Sequence, residues 1–180
     1  MDRDGGRTMK PHFSMLAGYN RWANALVYAA AGRIADKEYR ADRGAFFGSL
    51  HGTLNHLLVA DRIWMRRFTG AGPSPARLDE ILFDNLGELD AARRAEDARI
   101  VAWVESLAED DLARTFSYRT ISEPATPVTQ RLAPALAHFF NHQTHHRGQA
   151  HALLTIAGGR AAAPVMDLIF FQRTTGFRLA

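Results

Sequence analysis

The sequence contains no cysteine. Disulfides, thiolate ligands, cysteine nucleophiles and iron–sulfur clusters are therefore excluded, and the absence accords with a reducing compartment. Long apolar runs are also missing. Nothing approaches the roughly 20 consecutive apolar residues that a membrane helix requires, and the opening MDRDGGRTMK lacks the hydrophobic centre of a signal peptide. A cytoplasmic protein with no membrane partner is the expectation. Charge of one sign is scarce too: 22 basic residues face 19 acidic ones, a net charge of +3. The sequence pI of about 9.7 reflects the dominance of arginine over lysine. The arginines are spread among acids and form no basic stripe of the kind that nucleic-acid binding uses, so nucleic acid is not an expected partner. The motifs HExxH, GxSxG, GxGxxG and the P-loop are absent, as is the Glu-x-x-His spacing of di-iron bundles.

What is present describes an ordinary globular chain. Of 180 residues, 47% are hydrophobic and 23% charged, enough to bury a core without staples. Residues 1–10 read as a flexible tail and 11–180 as one domain. Apolar residues at spacings of three and four predict a first helix from Pro11 to about Ile34. Residues 36–49 read as a loop or short turn. Ser49 is a candidate N-cap for a second helix to about Thr69, which the run GAGPSP then stops. A third helix is expected from about Leu78 to Leu107, with Glu88, Arg93, Arg94, Glu96, Asp97 and Arg99 on its solvated face. Residues 113–132 lose the helical period and read as a short β-hairpin or an irregular crossover. The fourth helix is expected from Pro134 to about Ala157, ending at Gly158–Gly159. A short apolar piece follows from Asp167 to Phe171. The fold class is all-α, a four-helix bundle with one long crossover.

Five of the eight histidines fall within fourteen residues: His138, His142, His145, His146 and His151. At about 100° per residue, with His142 as origin, His146 lies near +40°, His138 near −40°, His145 near −60° and Gln149 near −20°, while His151 points the opposite way. Ala135, Leu153 and Ile156 continue the same face. The histidines thus interrupt a core-facing stripe. Burying several imidazoles is costly unless each finds a partner, and a shared cation satisfies several at once. Histidines at i and i+4 sit one turn apart, within reach of one ion; a third ligand must come from another helix. The competing interpretations are a hydrogen-bonded polar core and an exposed histidine-rich face. His51 and His56 are both available on helix two, and helical geometry alone does not choose between them. Asp61 falls within the main stripe of that helix, so it needs a partner: a ligand histidine, or an arginine such as Arg147. Tyr19, Trp22, Asn24 and Asn55 are pocket or core residues, and Arg147 is a candidate for holding either an anionic substrate or a bundle salt bridge.

Three segments, YNRWAN at 19–24, HLLVADRIW at 56–64 within the stretch Gly48–Gly70, and NHQTHHRGQ at 141–149, occur in an order and separation that resemble the DinB family of bacterial metal-dependent proteins. The resemblance spans roughly residues 13–175. It implies a four-helix bundle with one divalent metal ion held by His56, His142 and His146. His138 and His145 match no general ligand position and are expected in the pocket or behind the ligands, with Asp61, Arg147, Gln149, Tyr19 and Asn55. Three nitrogen ligands leave a position open, the arrangement of a catalytic site. Imidazole ligation suits zinc, nickel, copper or iron and does not choose among them; zinc or nickel is the expectation, with iron, copper and manganese as further candidates. The resemblance further implies a homodimer and a small-molecule substrate, with a low-molecular-weight thiol as cosubstrate of an S-transferase or isomerase. A hydrolase using metal-activated water is a variant of the same expectation. The alternatives are a non-catalytic, stress-related metal- or ligand-binding protein, and a helical nucleic-acid or partner-binding module. No catalytic residue is assigned.

Overall fold

The computed structural model describes residues 8–177. Four long helices make the body: α1 (Lys10–Ala31), α3 (Leu50–Thr69), α4 (Leu86–Ser106) and α5 (Leu132–Gly158). Two short helices accompany them, α2 (Asp36–Arg40) and α6 (Leu168–Thr175). A hairpin of β1 (Thr115–Arg119) and β2 (Pro127–Arg131) fills the α4–α5 connection, antiparallel with Phe116 opposite Gln130. The all-α bundle with its long crossover is as expected, and the hairpin is the form that crossover takes. Each of α1 and α3 packs against both α4 and α5, so α3 and α5 are side-by-side neighbours.

The helix ends follow local chemistry. The Ser49 side chain accepts from the Gly52 amide and caps α3, as its position predicts. At the other end Gly70 takes the left-handed conformation (φ 72°) and its amide closes on the Arg66 carbonyl, a geometry that favours glycine. The α1 start is held by Glu109, whose carboxylate accepts from the Met9 and Lys10 amides. Residues 1–7 of the expected tail lie outside the described residues.

Three expectations need correction. The third long helix starts at Leu86, not Leu78. Asn85 caps it by accepting from the Gly87 and Glu88 amides, and the preceding amides of Leu82 and Phe83 donate to the Asn55 side chain instead of a helical ladder. Second, Arg93, Glu96 and Asp97 are buried. They lie at helical spacing between the buried Leu89 and Ile100 and face the bundle interior. There Arg93 pairs with Asp61 at 2.7 Å and with Asp97 at 3.0 Å. Ile156, projected onto the core stripe of α5, is 60% exposed, one turn beyond the buried Leu153.

Besides a small cluster of Met15, Tyr19, Ala23 and Phe171, two larger clusters make the core. One gathers Val27, Tyr28, Leu54, Leu58, Leu89 and Leu154; the other gathers Phe13, Trp64, Met65, Ile100, Leu136 and Phe139. The histidine triad lies where α3 and α5 meet, and the polar layer around Arg93 ties α4 to both.

Candidate metal centre

His56 comes from the middle of α3, and His142 and His146 from successive turns of α5. One nitrogen from each lies within 4.8 Å of the others. The Nε2 atoms of His56 and His146 are 3.3 Å apart, and those of His146 and His142 are 3.1 Å apart. Four nitrogens placed tetrahedrally at about 2.0–2.1 Å from a zinc ion stand about 3.3 Å from one another, so the observed spacing fits.

Hydrogen bonds on the far side of the rings fix which nitrogen is available. His56 Nδ1 lies 2.7 Å from the Leu78 carbonyl oxygen, which can only accept, so Nδ1 carries the proton. His146 Nδ1 lies 2.8 Å from Gln149 Oε1 and donates to it. Both Nε2 atoms therefore present lone pairs to each other across 3.3 Å, a repulsive arrangement unless a cation is shared. Burial lowers the pKa of all three rings, His56 to about 4 and His142 to about 3, with neighbouring imidazoles pushing His142 the same way. The rings are neutral at physiological pH and their lone pairs free to ligate. These are the second-sphere bonds that orient metal-binding histidines.

A family model described as DinB family covers residues 9–176. The chain belongs to the DinB family. It is also similar to a relative named Protein DinB from Bacillus subtilis (strain 168), 25% identical over 166 residues, which cover 87% of this chain and 92% of the relative.

The other residues singled out in this DinB-family chain have definite places. His51 turns away from the triad, with its ring against Tyr39 and Nε2 near the Phe83 carbonyl oxygen, so α3 offers His56 alone to the cluster. His145 is exposed and accepts from Gln149 Nε2 at 3.3 Å, adding a partner to the residue that holds His146. His138 packs against Trp64 and lies 5.8 Å from the His142 ring centroid. Asn55 is fully buried and clamps the segment around Leu82 and Phe83 to α3 through both ends of its amide. It thereby steadies the chain that carries the Leu78 carbonyl.

Asp61 bonds to Arg93 and to Gln143 rather than to Arg147 or a triad histidine. Burial pushes its carboxyl above the usual range, to about 7, against the pull of Arg93. Arg147 turns toward α1, donating to Asn20 and Asn24, with its guanidinium 5.1 Å from the Tyr19 ring. Tyr19 donates to the Met166 carbonyl and anchors the C-terminal segment. Trp22 packs on Phe170 and Phe171 of α6.

Phe47 escaped the sequence analysis. Its ring stacks on His56, centroids 3.7 Å apart and planes at 17°. Gly52 allows this contact: a Cβ there would collide with the Phe47 carbonyl oxygen. A glycine early in a helix was the one visible signal. The triad opens onto two cavities. One of about 300 Å³ is walled by Phe46, Phe47, Leu78, His145 and Gln149. The other, of about 310 Å³, lies toward the hairpin and includes His138 and His142 in its wall.

Proposed function

We propose that this chain is a metal-dependent enzyme acting on a small molecule, of the thiol-dependent S-transferase or isomerase kind. Hydrolysis by activated water is the variant of the same chemistry. The observation that carries the reading is the convergence of three neutral Nε2 donors beside two cavities of small-molecule size. A divalent ion held by His56, His142 and His146, zinc or nickel first, supplies Lewis acidity that lowers the pKa of a thiol or water bound to it. The chain's own residues prepare that position. The Leu78 carbonyl and Gln149 hold two rings in the ligating tautomer, and Phe47 covers the face of His56 against solvent.

The reading includes a homodimer. The exposed Ile169 and Phe170 of α6 are apolar surface that a second copy would cover. Sedimentation analysis of the purified protein reads the dimer directly: a concentration-independent monomer would remove it.

Cobalt-loaded protein tests the thiol step. Adding N-acetylcysteine or 2-mercaptoethanol is expected to produce a sulfur-to-cobalt charge-transfer band, absent in His142→Ala. A cobalt spectrum unchanged by either thiol would overturn the thiol version and leave activated water.

A further inference from the structure

We propose that the cavity on the hairpin side of the triad is a subsite for an organic anion, a small molecule with an apolar body and a carboxylate or phosphate end that docks on Arg67. The cavity runs from His142 and His138, past Ile63 and Trp64, to Arg67 and Tyr118. A second cavity of about 200 Å³ continues beyond Arg67, and there Arg66, Arg67 and Arg119 converge. Among the described residues, no carboxylate lines either space.

What sets these three arginines apart is that they share one cavity; others among the described residues, Arg62 and Arg147 included, also lack a carboxylate partner. Seven arginines, among them Arg40, Arg93 and Arg99, pair with carboxylates. Among the described residues, Arg66, Arg67 and Arg119 have no carboxylate within ion-pair distance. They donate only to main-chain carbonyls: Arg66 to Gly72, Arg67 to Arg119, and Arg119 to Pro124 and Ala125. Three unpaired guanidiniums around one space raise its affinity for anions.

Arg67 is the best placed of the three. Its guanidinium sits 4.6 Å from the Trp64 ring and 4.5 Å from the Tyr118 ring. The two rings, themselves edge-to-face with centroids 5.3 Å apart, brace a planar fork whose five donors exceed the one bond it makes to Arg119. Burial disfavours its charge, a cost that an anion alongside would offset. Between Arg67 and His142 the wall is Ala60, Ile63, Trp64 and Leu78, which suits an apolar or aromatic body. The subsite rests on the reading of the triad as reactive centre only for where the far end of the molecule lies.

Titrating phenyl phosphate, benzoate and neutral benzamide into zinc-loaded and chelator-treated protein, by calorimetry, tests it. The anions are expected to bind at least about tenfold more tightly than benzamide in both preparations, as a charge-assisted hydrogen bond supplies. Arg67→Gln should abolish that preference, and Arg67→Lys should retain part of it. The ratio of phenyl phosphate to benzoate affinity tells which anionic end is favoured. Benzamide binding as tightly as benzoate in the unmutated protein would overturn the subsite even if the variants failed to fold. Anion binding that vanishes with the metal and ignores Arg67 would overturn it as well, leaving the metal centre standing. An Arg67-dependent preference in protein that never takes up metal would uphold the subsite and remove the triad reading.

Discussion

A histidine ligates through whichever nitrogen its other hydrogen bond leaves free. Gln149 performs that selection for His146. Replacing it with alanine leaves the ring free to rotate or to protonate Nε2, and metal affinity is expected to fall by about 10–100-fold, read by competition with a chromophoric chelator. His145→Ala, which removes only the outer contact to Gln149, should change affinity far less. Acid acts at the same scale. Burial holds His56 near 4 and His142 near 3, whereas the unfolded chain protonates its histidines near the ordinary value of about 6.5. Below that pH the unfolded state binds protons that the folded state refuses. The stability of metal-free protein should therefore drop as pH falls from about 6.5 toward about 4, and hold above it. Urea titrations at pH about 7.5 and about 5 measure the drop, which should shrink in His142→Gln. An equal drop in that variant would mean His142 is not among the groups responsible.

At the scale of elements, α3, α4 and α5 are joined by the buried Asp61–Arg93–Asp97 set and by Gln143. Arg93→Met would leave two buried carboxylates without their cation, costing about 3–5 kcal/mol, read by denaturant unfolding. Gly52→Ala tests the loop against α3. It should displace Phe47 from His56, weakening metal binding more than its effect on helix propensity would suggest. The legibility of these features follows one rule. Histidines that break an apolar stripe are candidates to face the core, and of these His146 is buried and His142 half-buried while His138 and His145 are exposed. The same rule applied to α4 places Arg93, Glu96 and Asp97 between Leu89 and Ile100, whereas residue type alone points them to solvent. Ile156 shows the converse, a stripe continuing one turn past the neighbours that would bury it. Helix two offered His51 and His56 alike, and only the family resemblance favoured His56. The Leu78 carbonyl and the Phe47 stack were not legible, because both come from loops whose positions depend on tertiary contacts such as those of Asn55.

Over the whole molecule, the fold brings one turn of α3 and two turns of α5 together so that three neutral nitrogens meet at a point between two cavities. No helix among the described residues is long and apolar enough to cross a membrane. The chain is a DinB-family bundle whose triad could hold an ion, and the proposed function requires that it does. Metal content by plasma mass spectrometry of untagged protein, unmutated beside His142→Ala, tests that most directly. Near-stoichiometric divalent metal in the first and little in the second is the predicted result. Unmutated protein that stays metal-free after soaking in zinc or nickel would contradict the account and make the histidine cluster structural.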